Sequence, residues 1–132
     1  KHKEFLLNRY LKPTPRIDLF NYINKNASAS TDVSDGLYSD LNNICRTSNL
    51  GADIDFGSIP LSNSARAIIS KYPKLNKLIL NGGDDYELLF TGKDGLDRNK
   101  NITKIGKMKK GYNINIADFN DITDLDGYKH KF

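Results

Sequence analysis

The chain has 132 residues and carries 20 Lys plus Arg against 16 Asp plus Glu, a formal net charge of +4. That length suits one domain, and a hydrophobic fraction of 38% gives a lean core rather than a disordered chain. The single Cys45 excludes an internal disulfide and any multi-cysteine metal site, no apolar run approaches the ~18–20 residues of a membrane span, and no secretory signal follows Lys1-His2-Lys3.

In chain order, Lys3 to Leu11 reads as a short helix with Phe5, Leu6 and Tyr10 as its apolar side. Pro13 and Pro15 stop it and enforce an extended segment. Asp18 to Lys25 reads as a second helix with Leu19, Phe20 and Ile23 inward, and Ala27 to Val33 as a strand. Ser34 or Asp35 then opens a third helix, with Leu37, Leu41, Ile44, Cys45 and Ser48 on one face, and Asn49 to Gly51 stops it. Ala52 to Phe56 alternates as a half-buried strand. Ser62 is a good N-cap for a helix carrying Ala65, Ile68, Ile69 and Tyr72, which Pro73 ends. Asn81-Gly82-Gly83 is a turn. Tyr86 to Thr91 is a strand with Tyr86, Leu88 and Phe90 on one side; Ile102 to Met108 and Tyr112 to Ala117 form a hairpin around Lys110-Gly111. This order predicts an α+β domain with a mixed β-sheet packed with helices.

The chain opens on Lys1 and its single Met is Met108, so it reads as a fragment, a processed product or a trimmed chain, in which a site split between domains would be half present. Lys107, Lys109 and Lys110 read as a solvated hairpin edge rather than a nucleic-acid patch. The acids cluster at Asp32/Asp35, Asp84/Asp85/Glu87 and Asp118 to Asp126. Clustered acids in a basic chain point to bound cations more than to nucleic acid.

Two constellations stand out. Asp32-Val33-Ser34-Asp35-Gly36 lies at a strand-to-helix junction, where free N–H groups and the helix dipole favour an anion such as phosphate. Its two carboxylates, three residues apart, suit Mg²⁺ held jointly with waters and substrate phosphates. The alternative is that Ser34 or Asp35 is only a helix cap. Asn81-Gly82-Gly83-Asp84-Asp85-Tyr86-Glu87-Leu88 puts two glycines before three acids at a strand start. The glycines permit φ > 0 or close approach of a ligand. Asp85 and Glu87 share a strand face opposite Tyr86; the alternative is a polar turn leading into an amphipathic strand. The chain contains no Walker A loop, EF-hand or hydrolase triad, and Cys45 reads as a core residue.

Together these segments resemble the C-terminal domain of the thiamine-monophosphate kinase family, within the aminoimidazole-ribonucleotide-synthetase-like superfamily. The resemblance is carried by Pro13-Thr14-Pro15-Arg16, by Asp32-Val33-Ser34-Asp35-Gly36-Leu37 with Asp40-Leu41, and by Gly51-Ala52 with Ile54-Asp55. Ile59-Pro60-Leu61-Ser62, Gly82-Gly83-Asp84-Asp85-Tyr86-Glu87-Leu88-Leu89-Phe90-Thr91, Ile105-Gly106, and Gly127-Tyr128 with His130 complete it. It implies one C-terminal domain over 1–132, an absent N-terminal ATP-binding domain, and a cytoplasmic homodimer with no nucleic-acid or membrane partner. The implied reaction transfers the γ-phosphoryl group of ATP to thiamine monophosphate with Mg²⁺. By similarity Asp32 and Asp35 ligate Mg²⁺, Ser34 contacts ATP, Asp84 and Tyr128 contact the substrate, and no further catalytic residue is implied. Another superfamily member, such as a selenophosphate or aminoimidazole ribonucleotide synthetase, and a non-catalytic phosphate-binding module are the competing readings.

Overall fold

The helix α3 (Leu37–Ser48) organises the fold. Leu37, Leu41, Ile44 and Cys45 recur on one face of it and are buried, while Ser48 at its end is exposed. Burial on that scale, at roughly 1.5–3 kcal/mol per large side chain, holds a helix that propensity alone would not. Asn49 closes it in the left-handed conformation at φ 54°, and Leu50 N–H donates to the Cys45 carbonyl at 3.0 Å. The structure is a computed structural model and describes residues 1–119.

Two small sheets pack on α3. Strands β1 (Ala27–Asp32) and β3 (Leu88–Gly92) form an antiparallel pair, with Asp32 opposite Leu88. Strand β2 (Gly51–Asp55) is central in the other sheet, antiparallel to β4 (Gly106–Lys109) and parallel to β5 (Ile114–Ala117). The α+β class with a mixed sheet therefore holds. The expected hairpin does not: β4 and β5 pair with β2 from either side and not with each other. The 110–113 link passes over the end of β2, where a Cβ on Gly51 would lie 2.4 Å from the Asn113 carbonyl oxygen. Lys109 is not a free edge lysine either, because it pairs with Asp53 on β2, which also accepts from Asn115 at 3.1 Å.

One core spans both sheets: Val33, Leu37, Leu41, Ile44, Cys45, Ala52, Ile54, Ile59, Leu80, Leu89, Ile116 and Phe119. Leu80 comes from a single helical turn, α5 (Leu78–Asn81), that no sequence signal announces. On β3 the buried residue is Leu89, so Leu88 and Tyr86 lie on the solvent side. Phe56 turns out of β2 and stacks at 5.0 Å on Phe119.

The remaining helices are peripheral. α1 (His2–Leu11) buries no residue fully and rests on α4 (Asn63–Lys71). α2 (Phe20–Asn26) buries Ile23, and Leu19 precedes it in a 3-10 turn, but Phe20 faces solvent rather than the core. Ser62 caps α4 as expected, its hydroxyl accepting from Ala65 N–H at 3.1 Å, and the α-helix ends before Pro73. Among the described residues, no helix is long and apolar enough to cross a membrane.

Candidate functional site

Strand β1 carries Asp32 to its last position, exposed, and the chain turns through Val33-Ser34-Asp35 into α3. Gly36 stands at the head of that helix with φ 109°, a conformation that strains any L side chain. A Cβ there would also meet the Leu80–Asn81 backbone at 3.0 Å. The chain's own backbone thus occupies the space beside Gly36. No side chain caps α3, so neither Ser34 nor Asp35 serves as its cap.

The amides of the turn go instead to Asp40, one turn into α3. Ser34 and Asp35 N–H donate to Asp40 Oδ2 at 3.0 and 3.1 Å. Asp40 is 4% exposed, the one charged residue in the buried set among the described residues. Burial pushes its carboxyl above the usual range, the two amides pull it down, and the charges of Asp35 and Asp32 push it up again. From sequence, Asp40 enters only as a position that matches the family. The signal for its role is nonetheless present: an acid inside the helical pattern Leu37, Leu41, Ile44, at a spacing that must face the core.

The second constellation lies directly against the first. Asp84 N–H donates to the Ser34 carbonyl at 2.9 Å, Tyr86 N–H to the Val33 carbonyl at 2.9 Å, and Val33 N–H to the Glu87 carbonyl at 2.8 Å. To make these bonds Asp84 and Tyr86 adopt φ 63° and 52°. Each left-handed residue costs on the order of 1 kcal/mol, which the backbone bonds offset. The positive φ expected of Gly82 and Gly83 therefore falls on non-glycine residues. The role of Gly83 is contact: a Cβ there would lie 2.5 Å from the Ser34 carbonyl oxygen. The strand also starts later than expected, at Leu88, so Asp85 and Glu87 do not share a strand face.

The three acids have separate fates. Asp84 Oδ1 accepts from the Tyr86 hydroxyl at 3.2 Å, and this bond raises the phenol pKa. Asp85 retains solvent-exposed surface, yet its carboxyl is crowded enough that desolvation raises its pKa; Glu87 and Asp84 add to this and Arg9 opposes it. Glu87 is neutralised by Arg9 Nη2 at 3.1 Å and by Arg16 Nε and Nη2 at 2.7 and 3.2 Å. Those bonds fasten α1 and the Pro13–Arg16 segment to the motif.

What this arrangement leaves open is a pair of carboxylates. Among the described residues, Asp32 and Asp35 side chains have no hydrogen-bond or ion-pair partner. No group of three or more His, Cys, Asp or Glu that could enclose a metal is found among them either. The donor set fits Mg²⁺ held by one or two carboxylates with waters and phosphate oxygens, and does not fit an all-protein cage. Of the residues singled out from sequence, Asp32, Ser34, Asp35 and Asp84 thus come together; Tyr128 lies outside the described residues. Cys45 is buried, its thiol pushed up by burial, as a core residue should be.

No family model matches the chain. The chain is 39% identical over 111 residues to the thiamine-monophosphate kinase of Aquifex aeolicus, an alignment covering 83% of this chain and 36% of that protein. It is 35% identical over 126 residues to the enzyme of the same name from Buchnera aphidicola of Acyrthosiphon pisum, covering 94% of this chain and 36% of the relative. Among solved structures, "AaThiL complexed with AMPPCP and TMP" superimposes with a TM-score of 0.86 at 34% identity, over 98% of this chain and 42% of the other. The chain belongs to the thiamine-monophosphate kinase family. A second family structure, from Stenotrophomonas maltophilia, gives a TM-score of 0.77 at 34% identity over 88% of this chain and 39% of that one. The chain spans little more than a third of the curated relatives it matches.

Proposed function

We propose that this chain is the C-terminal, substrate- and metal-binding part of a cytoplasmic thiamine-monophosphate kinase, completed by an N-terminal ATP-binding domain and working as a homodimer without nucleic-acid or membrane partners. The observation that carries this reading is the convergence of the two motifs: Asp84 bonded to Ser34, and beside them Asp32 and Asp35, whose side chains have no hydrogen-bond or ion-pair partner among the described residues. The family structure solved with AMPPCP and TMP supports ATP and thiamine monophosphate as the ligands.

The reaction joins two anions, the ATP γ-phosphoryl group and the phosphate of thiamine monophosphate. Mg²⁺, when bound, offsets their repulsion and the charge developing between them. Asp32 and Asp35 are the residues that would hold it. Ser34, fixed through both its N–H and its carbonyl, contacts ATP from a rigid turn. Asp84, exposed at a backbone position fixed by Ser34, contacts the acceptor molecule. Tyr128 offers an aromatic face to the cationic thiazolium ring, an attraction of roughly 0.5–2 kcal/mol. The chain's own contribution is in-line positioning.

In the full-length protein, Asp32→Asn or Asp35→Asn should lower kcat by orders of magnitude while leaving the circular dichroism and melting temperature near wild type. Near-normal kcat in both variants at saturating Mg²⁺ overturns the assignment.

A further inference from the structure

We propose that Asp40 is a positioning residue for the metal turn: its buried carboxylate holds the Ser34 and Asp35 amides and thereby sets the Asp32 and Asp35 carboxylates for a cation. This rests on the proposed function above and names a group that the resemblance does not assign. Three observations carry it. Asp40 is 4% exposed, on the core face of α3 between Leu37 and Leu41, where an apolar residue would pack at less cost. Its Oδ2 takes both consecutive amides of the turn, at 3.0 and 3.1 Å. One of those amides belongs to Asp35 itself, and the Ser34 carbonyl on the same turn receives Asp84 N–H, so the carboxylate is tied to both motifs.

Asp32 and Asp35 repel each other when both are ionised, and an unsupported turn would relax by swinging them apart. Charge-assisted hydrogen bonds to the intervening backbone oppose that motion, because they fix the peptide planes from which the side chains depart. α3, with most of its apolar face in the core, supplies a rigid base for the brace. Groups that orient ligating side chains in this way typically govern metal affinity by 10–100-fold when removed.

The test uses the full-length protein with Mn²⁺ as probe, its binding followed by electron paramagnetic resonance, alongside steady-state kinetics and ¹⁵N amide spectra. Asp40→Ala should weaken Mn²⁺ binding by roughly 10–100-fold and lower kcat, with KM for thiamine monophosphate within about twofold of wild type. Asp40→Asn keeps an acceptor but loses the charge, so its Mn²⁺ affinity should fall by more than twofold yet by less than that of Asp40→Ala, while the Ser34 and Asp35 amide resonances move upfield. If Asp40→Ala does not fold, Asp40→Asn decides alone. A loss of Mn²⁺ affinity greater than twofold accompanying those amide shifts then supports the proposal, and affinity within twofold of wild type overturns it. Asp40→Ala that melts lower yet binds Mn²⁺ like wild type also overturns it, leaving only a helix brace. Asp32→Asn in parallel keeps the two readings apart: if it too leaves Mn²⁺ binding unchanged, the metal site itself is misplaced.

Discussion

Gly83 has a backbone oxygen where its side chain would stand. The Ser34 carbonyl oxygen lies 2.5 Å from the place a Cβ would take, so Gly83→Ala must push the two motif loops apart. The backbone there is not in the left-handed region, so the effect is contact and not conformational freedom. The substitution should destabilise the chain by about 1–3 kcal/mol in urea unfolding and, in the full-length protein, should lower kcat as Asp84 moves off Ser34. A variant with unchanged stability would show that the loops separate freely.

Asp85 gives a pH prediction with a definite sign. Its folded-state pKa is raised, by desolvation first and by Glu87 and Asp84 next. The native state therefore holds its proton more tightly than the unfolded chain. The stability this contributes is present below the unfolded carboxylate pKa of about 4 and is lost as pH rises through the raised value. Asp85→Asn should match wild type in melting temperature near pH 3 and exceed it at pH 7. Equal differences at both values would mean that Asp85 titrates as it does in the unfolded chain.

At the scale of elements, α1 is attached at its surface only. It buries no residue fully, and its link to the site runs through Arg9 to Glu87, reinforced by Arg16 in the following segment. Glu87 also raises the Arg16 pKa, chiefly through their hydrogen bond. The pairs are partly exposed, so screening limits them to about 1 kcal/mol of stability. Glu87→Gln should therefore cost little globally but speed amide hydrogen exchange across α1, leaving α3 unchanged. Uniform acceleration in both helices would show that α1 opens only with the whole domain.

At the scale of the molecule, the proposed function gives this chain only one part of a split site, so it should not work alone. The chain 1–132, given ATP, Mg²⁺ and thiamine monophosphate, should show no turnover in an assay coupled to ADP release. Turnover comparable to a full-length family member would place the whole site within these residues.

The residue pattern by itself determined a good deal. The period of Leu37, Leu41 and Ile44 marked α3, Ser62 and Pro73 bounded α4, and alternation around Ile54 marked β2, because local hydrogen bonding and burial period are written in neighbouring residues. The two acidic motifs were legible for the same reason: their composition is unusual over five to eight consecutive positions. What only the tertiary structure decided involves partners distant in sequence. β4 and β5 flank β2 instead of pairing, since register depends on which edge is free and not on the turn between them. Tyr86 and Leu88 face outward because a left-handed backbone, required by bonds to Val33 and Ser34, delays the strand. Asp40 lies only five and six residues from the amides it accepts, and its place on the core face of α3 is readable, but the turn that presents both amides to it is held by bonds from Asp84 and Tyr86, far along the chain. The conformation that brings such groups together is set by chain segments that their own neighbourhood in sequence does not contain.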